Sequence, residues 1–337
     1  MDSIALRKIA RTMVAPGKGI LAADESHGTI TKRFQALGIE SSEESRRRYR
    51  EMFFSSSACA EHISGVILYD ETIRQSATDG TPFPQYLKDR GILPGIKVDT
   101  GAKELAGHPG EKITEGLDGL RERLAEYYEL GGRFAKWRAV ITIGDGIPSR
   151  GCIEANAHGL ARYAALCQEA GIVPIVEPEV LMDGRHTIDR CQEVTDATLE
   201  EVFSQLHHQR VLLEGVVLKP NMVISATDCP QQASVEEVAT RTVETLRRFV
   251  PAAVPGIAFL SGGQSDRAAT AHLDAMNRMD DLPWQLTFSY GRALQAAAMK
   301  AWGGKEESLA AGAEAFSHRA RMNSSARSGR YESSMEK

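Results

Sequence analysis

Short runs of apolar and β-branched residues recur along the chain, and longer stretches with apolar residues at helical spacing separate them. Strands that alternate with helices in this way build a parallel sheet. The eight runs are GILAAD at 19–24, GVILY at 65–69, GIKVD at 95–99, FAKWR at 134–138, IVPIVEP at 172–178, GVVLK at 215–219, GIAFL at 256–260 and QLTFSY at 285–290. Eight such strands predict a closed (β/α)8 TIM barrel, and we expect residues 1–337 to form one α/β domain of this kind.

The stretches between the runs support this prediction. In 155–170, apolar residues fall on one helical face before Gly171, and 235–249 shows the same spacing. Such stripes are typical of helices that pack against a sheet. Residues 317–337 read as a polar C-terminal tail.

The first 18 residues or so predict a helix whose Ile4, Ile9 and Met13 face the core. Its basic residues also loosely resemble an organelle-targeting peptide, which remains an alternative.

Composition narrows the function classes. Hydrophobic residues make up 42% and charged residues 25% of the chain, and the net charge is −5 with no long block of one sign. These values are typical of a globular enzyme and argue against nucleic-acid binding and against a membrane span. The odd number of widely spaced cysteines forms no disulfide or metal pattern; they are Cys59, Cys152, Cys167, Cys191 and Cys229. We expect a cytoplasmic protein.

Polar and ionisable residues gather where the predicted strands end. In a parallel barrel, the active site forms at the carboxyl ends of the strands. Seven of the eight runs end at or near such a residue, namely Asp24, Lys97, Lys136 with Arg138, Glu177 with Glu179, Lys219, Ser261, and Ser289 with Arg292. This convergence predicts a site that draws side chains from most of the barrel.

Lys219 is the strongest candidate for a nucleophile, because it ends a wholly apolar strand. Loss of water at such a position favours the neutral, nucleophilic form of an amine. The alternative is a lysine whose head reaches out to solvent. Lys136 and Arg138 lie two apart and therefore on one face of their strand, with Trp137 on the other. Several cations in one barrel mouth suggest phosphate binding together with amine chemistry.

Carboxylates supply the complementary groups. Glu177 could move protons during imine chemistry, whereas we expect Glu179 to neutralise a lysine in a structural ion pair. Asp24 suits a base for a substrate hydroxyl, and its alternative role is an N-cap for the helix that starts near Ser26.

Two glycine-containing loops follow the seventh and eighth strands, where barrel enzymes commonly bind phosphate. FLSGGQS contributes Ser261, Gly262 and Gly263, and SYGRA contributes Gly291 and Arg292. The other glycine cluster, at 144–151, lacks dinucleotide spacing, and the nine histidines show no metal-binding pattern. We therefore expect neither a cofactor nor a metal ion.

Seven motifs in order now carry a family resemblance: GILAADES, GIKVD, FAKWR, VEPE, LKPNM, FLSGGQS and SYGRALQ. Together they resemble class I fructose-bisphosphate aldolases over about residues 3 to 331. The resemblance implies reversible cleavage of fructose 1,6-bisphosphate to dihydroxyacetone phosphate and glyceraldehyde 3-phosphate, in glycolysis and gluconeogenesis. It also implies a cytoplasmic homotetramer with sugar phosphates as its ligands.

The resemblance implies roles one position at a time. Lys219 matches the Schiff-base lysine, Glu177 the proton shuttle assisted by Lys136, and Asp24 the acceptor of the C4 hydroxyl proton. The matched substrate-binding positions are Lys97, Arg138, Glu179, Ser261, Gly262, Gly263, Ser289, Gly291, Arg292, Arg33 and Arg46. For Arg33 and Arg46 the alternative is a solvated charge on a helix.

The chain departs from the animal-type pattern at Thr100, where a lysine is common, and after Tyr331, where many relatives carry a longer tail ending in a tyrosine. In this respect it resembles bacterial members. One other hypothesis is a different lysine-dependent sugar-phosphate aldolase. Two phosphate-binding sites would favour a bisphosphate substrate, whereas a single site would favour this alternative. The second is a non-catalytic barrel that serves as a scaffold.

Overall fold

The structure is a computed structural model that describes residues 2–337, and its centre is a closed barrel of eight parallel strands. The ten strands are β1 Gly19–Ala23, β2 Ile63–Leu68, β3 Leu93–Lys97, β4 Gly101–Glu104, β5 Lys112–Glu115, β6 Phe134–Ile141, β7 Val173–Val180, β8 Val217–Leu218, β9 Gly256–Phe259 and β10 Gln285–Tyr290. The order around the barrel is β1, β2, β3, β6, β7, β8, β9, β10 and back to β1. All eight predicted strands are confirmed. The antiparallel hairpin of β4 and β5 was not predicted.

Helices cover the outside of the barrel. They are α1 Ser3–Met13, α2 His27–Gln35, α3 Glu43–Phe54, α4 Ser57–His62, α5 Asp70–Ile73, α6 Phe83–Lys88, α7 Leu120–Glu129, α8 Arg150–Glu169, α9 Ile188–His208, α10 Val235–Phe249, α11 Asp266–Asn277, α12 Arg292–Trp302 and α13 Leu309–Arg327. Short 3-10 turns lie at Leu213–Gly215, Glu306–Ser308 and Ser333–Glu336. The predicted helices at 155–170 and 235–249 correspond to α8 and α10.

Side-chain caps explain where the long helices begin. The N-cap side chains of Ser149, Thr187, Ser234 and Ser265 each accept a hydrogen bond from a backbone N–H in the first turn of α8, α9, α10 and α11. Such caps satisfy N–H groups that have no partner inside the helix. Gly171, at φ +75°, ends the α8 segment, as its sequence position predicted.

Aromatic rings fill the amino-terminal part of the barrel and explain why β1 begins with Gly19 and β3 contains Gly95. A Cβ on Gly95 would lie 2.2 Å from the Phe134 ring, and one on Gly19 would lie 2.4 Å from the Phe288 ring. These glycines therefore make room for packing rather than for a turn. The carboxyl-terminal end of the barrel, lined by polar groups, remains for ligands.

Helix α1 packs as one buried stripe, but not with all the residues that the sequence suggested. Leu6, Ala10 and Met13 are fully buried, whereas Ile4 is 79% exposed and Ile9 is partly buried. The prediction of Ile4 as a core residue was wrong, because positions 6, 10 and 13 share one face and position 4 lies nearly opposite.

The prediction of a polar tail at 317–337 was also wrong for the first half of that segment. Helix α13 continues to Arg327 and buries Phe316, Ala320 and Ala326. Its polar residues are buried too, because they have partners: Asn323 accepts a hydrogen bond from Thr270 at 3.0 Å. No helix in residues 2–337 combines the length and hydropathy that a membrane crossing requires.

Candidate active site

Four ionisable side chains from four different strands meet at the carboxyl end of the barrel. Asp24 follows β1, Lys136 lies on β6, Glu177 lies on β7 and Lys219 follows β8. The exposed fractions are 9%, 4%, 3% and 4%, in the same order. Lys219 is therefore not a lysine that reaches out to solvent, and the apolar strand before it explains why.

The four side chains form a line of alternating charge. Lys219 Nζ lies 3.0 Å from Glu177 Oε1, and Lys136 Nζ lies 3.3 Å from Glu177 Oε2. Lys136 Nζ also lies 2.7 Å from Asp24 Oδ2. Each of the two central residues is thus shared by two partners of opposite charge, which lets a proton pass between neighbours without a large movement of atoms.

Mutual pairing decides the ionisation of this group. Burial raises the pKa of Asp24, but the ammonium groups of Lys136 and Lys219 outweigh it and hold that pKa at about 2. Burial also raises the pKa of Glu177, but the charges of Lys136 and Lys219 outweigh burial and lower that pKa below its usual value. Burial lowers the pKa of Lys136, yet Asp24 and Glu177 together raise it above its usual value. For Lys136 the two neighbouring carboxylates therefore affect the pKa more strongly than burial does.

The alternative role of Asp24 as a helix cap is excluded. The N-cap of α2 is Ser26, and the Asp24 side chain binds Lys136 instead. On β6, Trp137 is buried on the opposite face to Lys136 and packs near Tyr163 of α8, with ring centroids 5.5 Å apart. Alternation along β6 thus directs Lys136 inwards, as its spacing predicted.

Lys97 and Arg138 lie beside the four-residue line, and each pairs with an acid. Lys97 contacts the Asp99 carboxylate and donates to the Asp99 backbone oxygen at 2.8 Å. Arg138 pairs with Glu179, and the Arg138 side chain is 43% exposed. Glu179 therefore forms an ion pair, but its partner is Arg138 and not the lysine that the sequence analysis expected.

Asp99, the last residue of the GIKVD motif, is a site residue that the sequence analysis missed. Its carboxylate accepts hydrogen bonds from the backbone N–H of Gly101 at 3.1 Å and of Arg138 at 3.3 Å, besides pairing with Lys97. An acid two residues after the end of a strand was the signal that could have found it.

The two glycine-containing loops lie at the same end of the barrel. Ser261 is buried, and the Gly262 backbone packs so closely that a Cβ there would lie 3.0 Å from Glu179 Oε1. The hydroxyl of Ser289 is buried without a hydrogen-bond partner. A buried donor without a partner is costly, so this hydroxyl is available to a ligand.

The second loop leads directly into a helix. Gly291 is the N-cap of α12, and Arg292, its first residue, is exposed. Backbone N–H groups at a helix N-terminus attract anions, and an arginine there adds a positive charge.

Arg33 and Arg46 are not part of the line of four charges. Arg33 binds Glu25 at 2.6 Å, and Arg46 binds Glu71 through two hydrogen bonds of 2.9 and 2.5 Å. Arg50, which the sequence reasoning missed, is fully buried behind them and donates to the Glu25 backbone oxygen at 2.9 Å. These contacts hold the segment that follows Asp24.

Within residues 2–337, no group of three or more histidine, cysteine, aspartate or glutamate side chains is arranged to hold a metal ion.

Comparisons with known proteins agree on one family. A family model described as fructose-bisphosphate aldolase class-I matches residues 5–337. A probable fructose-bisphosphate aldolase class 1 from Xylella fastidiosa is 63% identical over 297 residues, which cover 88% of this chain and 89% of the relative. The cytosolic fructose-bisphosphate aldolase 5 of Arabidopsis thaliana is 54% identical, over 97% of this chain and 91% of the relative.

A solved structure is similar over nearly the whole length. It is a fructose-bisphosphate aldolase from Plasmodium falciparum, in a complex with TRAP and a small-molecule inhibitor. The TM-score is 0.96 at 47% sequence identity, and the match covers 98% of this chain and 95% of that one.

Proposed function

Because this chain belongs to the class I fructose-bisphosphate aldolases, we propose that Lys219 is the residue that forms its Schiff base. The family reaction is the reversible aldol cleavage of fructose 1,6-bisphosphate to dihydroxyacetone phosphate and glyceraldehyde 3-phosphate, a step of glycolysis. The observation that carries the proposal is the distance of 3.0 Å between the buried Lys219 amine and the Glu177 carboxylate.

Glu177 then acts as the proton shuttle. It takes a proton from the Lys219 ammonium, and the neutral amine attacks the C2 ketone of the substrate. Glu177 returns the proton to the carbinolamine hydroxyl, which leaves as water and yields the protonated imine. Lys136 supports this step because it lies 3.3 Å from Glu177 and keeps a positive charge beside it.

Asp24 serves as the base for carbon–carbon cleavage. It accepts the proton of the C4 hydroxyl as the C3–C4 bond breaks, and the bonding electrons pass to the imine to form an enamine. The low pKa of Asp24, about 2, keeps this carboxylate ionised and able to accept a proton. The aldehyde product leaves first, and protonation of the enamine followed by hydrolysis releases the ketone.

Two groups of residues would hold the two phosphates. The Ser261, Gly262 and Gly263 loop and the Gly291 and Arg292 turn, together with the unpartnered Ser289 hydroxyl, suit the C1 phosphate. Lys97, Arg138 and Arg33 suit the C6 phosphate end, with Arg46 behind them through Glu71. Glu179 orients Arg138.

We extend the proposal to the assembly and location of the protein. Family membership implies that residues 1–337 act as one domain of a homotetramer, which sedimentation velocity would test against a monomer or dimer. A cytoplasmic location follows the cytosolic relative in Arabidopsis thaliana, and fractionation of source cells would test it.

The proposal is tested by trapping the imine. The protein is incubated with dihydroxyacetone phosphate and borohydride in the presence of EDTA, and the adduct is mapped by mass spectrometry. A reduced triose-phosphate adduct on Lys219, absent from the Lys219→Arg variant, is the expected result. An adduct on Lys136 or Lys97 would move the nucleophile, and no adduct from folded protein would overturn the Schiff-base role.

A further inference from the structure

The turn that follows β9 is closed and tightly packed on one side. The backbone N–H of Gln264 donates to the Ser261 oxygen at 3.0 Å. Gly263 has φ +67°, and a Cβ there would lie 2.4 Å from the Met182 side chain. The turn from Ser261 to Gln264 therefore has little freedom on the side that faces Met182.

On its other side, the turn is held through the Gln264 side chain. His272, on α11 two helical turns further along the chain, lies with Nδ1 2.6 Å from Gln264 Oε1. Because the amide oxygen only accepts, His272 Nδ1 carries the hydrogen. The Gln264 amide nitrogen points to the sulfur of Met222 at 3.6 Å. The side chain of Gln264 thus lies between a fixed donor and a buried apolar partner.

This contact connects the turn to the segment that contains the Schiff-base lysine. Met222 lies three residues after Lys219, and the Leu260 N–H donates to the Pro220 oxygen at 3.2 Å. The loop after β9 and the loop after β8 are therefore joined by a backbone bond and by the Gln264 side chain. A change in the orientation of Gln264 would move the turn relative to Lys219.

His272 is suited to a constant role because it keeps one protonation state. It is 9% exposed, and its burial lowers its pKa to about 4, against the opposing charge of Glu236 on α10. The ring is neutral at any pH near 7, so that the Nδ1 donor remains available to Gln264.

We infer that His272 is a positioning residue for the phosphate-binding turn, acting through its hydrogen bond to Gln264. This inference rests on the proposed function, because it takes the turn from Ser261 to Gln264 as part of the C1 phosphate cradle. His272 does not touch the substrate. Its contribution is to keep the backbone N–H groups and the Ser261 hydroxyl aimed at one point, which preorganises anion binding.

A matched pair of variants separates this role from simple packing. His272→Leu removes the donor but keeps an apolar group of similar size, whereas His272→Asn keeps an N–H near the position of Nδ1. We expect His272→Leu to raise KM for fructose 1,6-bisphosphate about 5-fold, and to weaken inhibition by inorganic phosphate by the same factor. In His272→Asn both values should stay within about 2-fold of the wild type, and kcat should change little in either variant.

Two further measurements keep the test decisive. Gln264→Met removes the acceptor and should raise KM at least as much as His272→Leu. Adding His272→Leu to Gln264→Met should cause no further loss, because both changes break the contact between His272 and Gln264. This variant also serves if His272→Leu does not fold. Equal effects of Leu and Asn at position 272, or a fall in kcat with KM unchanged, would overturn the inference. A wild-type protein that does not cleave fructose 1,6-bisphosphate would instead overturn the proposed function.

Discussion

Two buried clusters of charged residues in this protein differ in where their residues come from along the chain. At the barrel mouth, Asp24, Lys136, Glu177 and Lys219 come from four strands and bind mainly one another. Near the carboxyl end of the chain, Arg319 donates to both oxygens of the Glu336 carboxylate, at 2.6 and 2.7 Å. Both residues lie within the last 19 residues of the chain.

The clusters differ in how completely the oxygens of their central carboxylates, Glu336 and Glu177, are satisfied. Glu336 also accepts from Tyr331 at 3.1 Å and lies 3.2 Å from the ring of His318, so that its two oxygens meet several donors. At the barrel mouth, by contrast, Glu177 Oε2 has no hydrogen bond of good geometry, and the Ser289 hydroxyl has none. A carboxylate whose oxygens are saturated by donors holds structure in place, whereas one with an unpaired oxygen remains available for proton transfer.

The first test of this contrast removes the proposed nucleophile. Lys219→Met keeps the length of the side chain but removes the amine, and we expect kcat to fall on the order of 10⁴-fold or more. The fold should persist, because the apolar strand and its neighbours are unchanged. Steady-state cleavage assays and circular dichroism measure the two effects. A variant that keeps a tenth of wild-type kcat would contradict the assignment of Lys219.

The second test breaks the C-terminal cluster. Glu336→Gln leaves Arg319 buried without its counter-charge, and we expect the free energy of unfolding to fall by about 2–3 kcal/mol. The value of kcat should change less than about 3-fold. Urea denaturation gives the stability, and Glu332→Gln, at an exposed neighbouring position, is the control. If Glu336→Gln abolished activity without loss of stability, the two clusters would not differ as described.

The smallest expected effect is in the acid limb of the stability curve. The folded-state pKa of Asp24 is lowered from 3.8 to about 2, so the unfolded chain binds this proton more readily than the folded protein. The resulting stabilisation is fully present above about pH 4 and is lost as the pH falls through about 2; it amounts to about 2 kcal/mol. The unfolding free energy of Asp24→Asn should therefore fall less steeply between pH 4 and pH 2. Parallel curves for the variant and the wild type would show that Asp24 gains nothing from Lys136 and Lys219.

Hydrophobic patterning predicted most of the fold because the barrel strands are buried on both faces and stand out as continuous apolar runs. Patterning failed where burial depends on partners. The polar residues of α13 read as a tail, but Asn323 and Arg319 are buried because Thr270 and Glu336 bind them. The hairpin of β4 and β5 was missed because its strands are short and partly exposed.

The sequence predicted which residues form the candidate site better than it predicted the contacts between them. The rule that strand ends meet at one rim placed Lys219, Lys136, Glu177 and Asp24 together, and their burial and contacts agree with it. The rule did not single out Asp99. It also could not anticipate that Arg46 is bound by Glu71, because α3 and α5 approach each other only in the folded chain.

The sequence by itself determined the eight strands, the residues at their ends and the family to which the chain belongs, because these depend on local order and spacing. Only the tertiary structure decided which acid pairs with which base, the direction of each pKa shift, and the contact between His272 and Gln264. Those properties depend on distances of a few ångströms between side chains from separate elements. Electrostatic interactions at that range change strongly with small changes of position and of burial, and spacing along the chain does not specify them.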